Sequence, residues 1–341
     1  MPKKIIKTIR IVPHAVYVTL LVFSVAINIL AFGGEPHLMR IEFDPVVDVV
    51  RTIVNFVPDI SLWLYNIRAI TAIVLLLVVA CYLVKLFYRE RALIFKHFSF
   101  VKQIADYDEK LSTIYRLKVV EIGLPDKMTN INEALMYQDS EIHDALQKTY
   151  NYYFYYGIAH TPFIFRAGYV FGDECNVRLL HKKRENSSCF TELKKSDSEN
   201  LRLDINETSP EEQSNELLVI ISTTFEVLDS ELDCLEPKSK HQLKFELQSK
   251  SFDNLSSYNQ LERYRNDIFY AMRNLCKKYE INTIHLVAST SVTFSFFLGQ
   301  GLSATHDPVV IVYHYDKQNE NHKYPWGIKI MNEAEFSLVI T

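Results

Sequence analysis

Residues 11–32, IVPHAVYVTLLVFSVAINILAF, carry no acidic or strongly basic side chain. Residues 62–84, LWLYNIRAITAIVLLLVVACYLV, carry one, Arg68. As helices, both runs are long enough to cross about 30 Å of hydrocarbon. A chain with two such runs so close together is expected to form a membrane hairpin. Lys3, Lys4, Lys7 and Arg10 precede the first run, and Lys85, Arg89, Arg91 and Lys96 follow the second. The loop 33–61 holds only Arg40 and Arg51 against Glu35, Glu42, Asp44, Asp48 and Asp59. Basic flanks stay on the cytoplasmic side, which puts both chain ends inside and the loop outside. A cleaved leader is the competing reading of the first run, and the second run would still return the rest of the chain to the cytoplasm.

Two spans per chain enclose no pore, so any lesion through them needs several copies. Asn28 is the one strongly polar side chain deep in the first span, where it can bond between helices. Arg68 sits where it can snorkel to the near interface. In the loop, PVVDVVRTIVNFV places Asp48 and Arg51 on a polar stripe with Thr52 and Asn55, which suits a loop helix covering the hairpin, or one lying in the interface or against a neighbouring subunit.

Downstream of residue 90 the balance is 28 basic against 35 acidic side chains. Such acidity argues against long nucleic acid as a partner, because that binding neutralises many phosphates. It leaves room for a small phosphorylated ligand in one pocket. The five cysteines form no C-x-x-C pair, so neither a disulfide framework nor a structural metal site is expected.

The cytoplasmic part reads as α/β. A helix is expected over about 133–157, strands over 163–171 (FIFRAGYVF) and 176–180, and a charged, Ser-rich connection from His181 to Glu216. The second half has a clearer rhythm: a buried strand at 217–222, an amphipathic helix at 259–280, and strands at 281–288, 309–315 and 328–330. Residues 281–302 contain no Asp, Glu, Lys or Arg, yet many of them are polar, including Asn282, His285, Ser289, Thr290, Ser291 and Gln300. A third span would have to hide all of these. The better parse is a strand to Ala288, a Ser289-Thr290-Ser291 turn, and a helix from about Val292 to Leu302. By composition alone an ordinary N-cap is the more common explanation of that turn, with a phosphate-facing helix N-terminus at the carboxyl end of a parallel strand as the other reading.

The segments IHLVASTSVTFSFFLGQGL, VVIVYHYD and KYPWGIKI, preceded by LLVIISTTF, closely resemble the C-terminal half of SAVED domains. With the hairpin ahead of them, the chain is similar to the transmembrane SAVED effectors of CBASS, bacterial anti-phage systems that signal through cyclic oligonucleotides. The resemblance implies a two-helix membrane module over 1–98, a first CARF-like half over 99–210 and a second over 211–341. It implies a sensor that binds a cyclic di- or trinucleotide, with the trinucleotide favoured, between its halves. Such sensors assemble head to tail, and here the assembly would disrupt the bacterial inner membrane. No cofactor is implied. Many relatives have Pro and small residues where this chain has Ser289-Thr290-Ser291.

On that resemblance the ligand candidates are Ser222, Thr223, Thr224, Ser289, Thr290 and Ser291 at strand ends. Phe294, Tyr313 and Tyr324 are candidates for base stacking, and Arg166 and Arg178 for phosphate contacts. Core packing or surface placement is the competing reading for each aromatic and each arginine. Catalysis has little support: no G-x-S-x-G, H-E-x-x-H or P-loop is present. A membrane-tethered scaffold and a ring-nuclease-like enzyme are the alternatives to a ligand-gated effector.

Overall fold

The computed structural model describes residues 73–74, 76–84, 89–99, 107–123, 130–173, 177–182, 190–195, 201–255 and 257–341. The expected first span, the loop 33–61, Asn28, Asp48, Arg51 and Arg68 lie outside the described residues. The described part of the expected second span, within 73–84, is helical, and Ile73, Leu76, Leu77 and Leu83 on it are exposed. Among the described residues no helix is long and apolar enough to cross a membrane. The chain divides between Arg89 and Glu90. Residues 91–98 therefore belong with the downstream unit, not with the N-terminal module expected over 1–98.

Arg91–Phe98 (β1) reads RALIFKHF and is buried on both faces, the pattern of a central parallel strand. It pairs in parallel with Arg116–Gly123 (β2) and with Tyr152–Ile158 (β3). Val177–Lys182 (β4) continues the sheet in parallel and Phe190–Glu192 (β5) closes it antiparallel, giving the order β2-β1-β3-β4-β5. Tyr107–Ile114 (α1), Ile131–Leu146 (α2) and Thr161–Phe171 (α3) make the crossovers. The second sheet has the order β12-β11-β10-β9-β7-β8-β6. Its parallel centre is Glu216–Ser222 (β7), His241–Leu247 (β8), Thr283–Ser289 (β9) and Val309–His314 (β10). Leu203–Thr208 (β6), Trp326–Lys329 (β11) and Leu338–Ile340 (β12) are antiparallel additions. Tyr258–Tyr279 (α4) and Val292–Gln300 (α5) connect β8 to β9 and β9 to β10. Because β6 is an edge strand of the second sheet, that half begins upstream of the expected boundary at 210/211.

Two sequence expectations exchange places. The tyrosine-rich run expected to end a helix is strand β3, and FIFRAGYVF, expected as a strand, is helix α3. Every residue from Pro162 to Gly168 of α3 is buried, so the helix shows no solvent-facing polar stripe. Pro162 in its first turn is the local cue that it is helical. Helices α4 and α5 start on serine caps: Ser257 accepts from the Gln260 N–H and Ser291 from the Phe294 N–H, both at 3.3 Å.

The two halves repeat one another in register. Tyr152 to Thr283 and Ile158 to Ser289 are both 131 positions, which superposes β3 on β9 and α3 on α5. On that register Phe165 matches Phe296, and Gly168 matches Gly299. The equivalence continues into hydrogen bonds: Ser99 N–H donates to the Ile158 carbonyl, and Thr223 N–H to the Ser289 carbonyl, each at 2.9 Å.

Helices α3 and α5 lie against each other in the core shared by both sheets. Phe163, Phe165, Phe294 and Phe296 are all essentially buried there. Tyr155 of β3 stacks on Phe296 of α5, with ring centroids 3.8 Å apart and planes 20° apart. Stacking at that range ties the first half's sheet to the second half's helix.

Candidate functional site

The turns after the adjacent parallel strands β7 and β9 meet at the carboxyl edge of the second sheet. In the second half, the Ser289 carbonyl accepts from Thr223 N–H (2.9 Å) and Thr224 N–H (3.0 Å). The Ser289 hydroxyl accepts from Phe225 N–H at 3.1 Å and shares a hydrogen bond with the Thr224 hydroxyl at 3.1 Å. Thr223 Oγ1 donates to Thr290 Oγ1 at 2.7 Å. The same Thr223 hydroxyl lies 3.5 Å from the Ser289 carbonyl oxygen. Thr223, Thr224, Ser289 and Thr290 are thus drawn into one hydroxyl cluster beside the start of α5. Ser291 caps that helix and bonds Thr293 Oγ1 at 3.1 Å. Ser222 is buried and accepts from Val227 N–H at 3.3 Å, holding the chain after β7 in place.

Reciprocal histidines cross between the halves. His181 of β4 and His314 of β10 lie near the carboxyl ends of the strands that follow α3 and α5. His181 Nδ1 lies 3.2 Å from Thr293 Oγ1 in the first turn of α5. Its Nε2 is 3.7 Å from Asp253. His314 meets His160, the N-cap residue of α3, with ring centroids 4.4 Å apart at 83°, and stacks on Trp326 at 4.7 Å. Burial and the neighbouring His160 hold the His314 imidazole down to about 3, against a smaller opposite effect of Asp316. It is therefore neutral at physiological pH. The same seam is hydroxyl-rich on one side and aromatic on the other.

The remaining sequence candidates are placed elsewhere. Arg166 is 6% exposed and inside the core. Its Nε and Nη2 donate to Asp139 at 3.0 and 2.7 Å, and Nη1 donates to the carbonyls of Ile330 and Asn332. The guanidinium is consumed in tying α3 to α2 and the C-terminal segment, and takes no part in the hydroxyl cluster. Arg178 lies near the amino end of β4, over the Tyr152 ring at 4.4 Å and 3.4 Å from Glu192. It is at the opposite end of the strands from the hydroxyl cluster. Phe294 is 0% exposed and meets Tyr264 edge-on, so no base reaches its face. Tyr313 and Tyr324, 3% and 2% exposed, fill a small core with Leu218, Ile220, Val227, Leu232 and Leu235.

Tyr313 also bonds His285 Nδ1 at 2.8 Å, and His285 Nε2 lies 3.3 Å from Glu216. This Tyr–His–Glu chain superficially resembles an activated nucleophile. Burial, helped by Glu216, pushes the Tyr313 phenol further up, so it stays protonated and packed.

The sequence reading did not assign roles in the crevice to Phe225, Phe252, Asp253, His160, His181, His314 or Trp326. The internal repeat, in which Phe-x-x-Gly recurs at 165–168 and 296–299, makes β4 and β10 equivalent strands, and each carries a histidine near its carboxyl end, His181 and His314.

Comparison with known proteins places a family match over residues 138–330: SAVED, the SMODS-associated and fused to various effectors sensor domain. A search of the curated proteins gives no match. Among solved structures, the Acinetobacter baumannii Cap4 SAVED/CARF-domain receptor with the cyclic trinucleotide 2'3'3'-cAAA is 16% identical, with a TM-score of 0.45. The alignment covers 65% of this chain and 48% of that one. The same receptor with 3'3'3'-cAAA is 15% identical at a TM-score of 0.47, with coverage of 66% and 49%. The Moraxella osloensis Cap4 receptor is 11% identical at 0.40, with coverage of 65% and 47%. The chain thus spans about half the length of these receptors.

Proposed function

The chain belongs to the SAVED family of sensor domains, and from that membership we propose that it is the sensing effector of a CBASS system. A cyclic oligonucleotide, with a trinucleotide favoured, binds at the carboxyl edge where the two halves meet. The observation that carries the reading is the coincidence of the family match, which spans parts of both halves, with the hydroxyl cluster at the strand ends. Thr224, Ser289 and Thr290 offer hydroxyls, and the start of α5 offers backbone N–H groups and the positive end of a helix dipole. Neutral donors of this kind suit a phosphodiester in an otherwise acidic protein.

The apolar runs 11–32 and 62–84 support a membrane hairpin, with its loop outside and the sensor in the cytoplasm. Ligand binding then drives head-to-tail assembly of sensors, which clusters the hairpins and disrupts the inner membrane. The protein acts as a ligand-gated effector and not as a catalyst.

The test is reconstitution of the full chain in dye-loaded vesicles of phosphatidylethanolamine and phosphatidylglycerol, with a panel of cyclic di- and trinucleotides. Expected are calorimetric binding of one panel member, ligand-dependent assembly by light scattering, and dye release. Binding and assembly without release would replace the effector by a membrane-tethered scaffold. Conversion of the ligand to a linear product would make it a ring nuclease. Absence of binding by every panel member would overturn the sensor reading.

A further inference from the structure

The large aromatic side chains of the second half are mostly buried, Tyr264, Phe294, Phe296 and Phe297 among them. Phe225 is 57% exposed. Covering its exposed face removes apolar surface from water, a stabilisation that the free chain leaves unrealised at this position.

The position is nonetheless held firmly. Phe225 N–H donates to Ser289 Oγ at 3.1 Å, and the preceding Thr224 is bound to Ser289 through both its N–H and its hydroxyl. The Phe225 ring rests against the ring of Phe252, with centroids 4.7 Å apart and planes at 86°. Phe252 is itself positioned from the same strand end, because Ser251 N–H donates to the Thr223 carbonyl at 3.3 Å. An aromatic ring therefore stands on a two-point support, one residue beyond a cluster of hydroxyl donors.

We propose that Phe225, propped by Phe252, is the stacking platform for one nucleobase of a cyclic oligonucleotide whose adjacent phosphodiester lies over Thr224, Ser289 and Thr290. The inference rests on the nucleotide-sensing reading and adds how a base is held. An apolar face beside uncharged hydroxyl donors matches a ligand that alternates aromatic rings with phosphates. A lipid chain would have to bury the hydroxyls beside the ring without satisfying them. Stacking uses the face of a base and not its edge, so this position supplies affinity and favours purines, with their larger rings.

Calorimetric titration of the full chain against the same cyclic di- and trinucleotides tests the platform in the wild type, Phe225→Ala, Phe225→Trp and Phe252→Ala. For the ligand that the wild type binds, Phe225→Ala is expected to weaken affinity about 5- to 100-fold. Phe225→Trp retains it, and Phe252→Ala falls between. The Phe225→Ala melting midpoint stays at the wild-type value, since an exposed ring is removed. Wild-type binding with an unchanged Kd in Phe225→Ala overturns the platform and leaves the sensor reading standing. Equal losses in the Ala and Trp variants overturn it as well, because stacking survives the second replacement. A wild type that binds no panel member overturns the sensor reading, and the platform with it.

Discussion

A Cβ placed on Gly168 would lie 2.1 Å from the backbone carbonyl oxygen of Phe296, and one on Gly299 would lie 2.1 Å from that of Phe165. Each helix of the central pair thus needs a missing side chain to admit the other's backbone. Neither obstacle is a flexible side-chain end, so Gly168→Ala has to separate α3 from α5. Overpacking of this kind costs about 1–3 kcal/mol, and the better helix propensity of alanine returns about 1. Both single variants are expected to lower the urea midpoint of the full chain. The double variant should fall short of the sum, because one separation of the helices relieves both clashes.

One buried and one half-buried imidazole, His97 and His314, set a pH dependence. His97 is fully buried beside Tyr155, whose hydroxyl lies 3.0 Å from its Nδ1. Burial, and then the nearby His160, hold it down to about 3, as they do His314. A histidine whose folded value lies below its unfolded one binds fewer protons in the native state. Its contribution is therefore complete above about pH 6.5 and is lost as pH falls toward about 3. Between those limits stability drops with acid by up to about 1.4 kcal/mol per pH unit for each ring. Urea unfolding from pH 7 to 4 checks the slope, and His314→Gln should reduce it. Proton spectra should show neither ring titrating between pH 8 and 5.

Arg166 separates structural from ligand-binding roles. Removing its charge with Arg166→Met leaves Asp139 buried without its ion partner, a change that costs about 3–5 kcal/mol in comparable settings. The guanidinium also holds the carbonyls of Ile330 and Asn332, so the C-terminal segment should loosen first. Hydrogen exchange should rise at 328–334, while nucleotide affinity below the melting range stays within about twofold of wild type. A selective loss of affinity in a fully folded Arg166→Met variant would return this residue to the binding site.

The second half was largely legible because its signals are local and agree with one another. The amphipathic period of 259–280, the Ser289-Thr290-Ser291 turn and the buried run 217–222 each place an element within a residue or two of its observed bounds. Residues 150–171 carry the opposite situation. Helix α3 is enclosed by α5, the first sheet and the edge of the second, and strand β3 is buried at its centre, so neither displays a polar face. Burial on all sides erases the difference between a period of 2 and a period of 3.6. The site followed the same division. The Ser/Thr clusters at 222–224 and 289–291 are contiguous in sequence and meet at adjacent strand ends. The stacking candidates failed because Phe294, Tyr313 and Tyr324 have the same composition whether they face a ligand or a core. Phe225 differs from them only in what surrounds it.

The turn after β9 does two jobs that mutation can split. Ser291 caps α5, and its hydroxyl has no equivalent after an alanine replacement, so Ser291→Ala should cost about 1 kcal/mol of stability. Buried Thr224 and half-buried Ser289 meet through their hydroxyls, and Ser289 also accepts from the Phe225 N–H. Glutamates there add negative charge where the ligand's phosphates are expected, and unit charges about 4 Å apart repel by about 4 kcal/mol at an effective dielectric constant of 20. Thr224→Glu and Ser289→Glu should each weaken nucleotide binding at least tenfold, with a smaller effect at high salt. Ser291→Ala should shift the melting midpoint and leave Kd nearly unchanged. Titration and melting of these variants side by side check the separation. Wild-type affinity in a folded Ser289→Glu protein would move the phosphate site away from this turn.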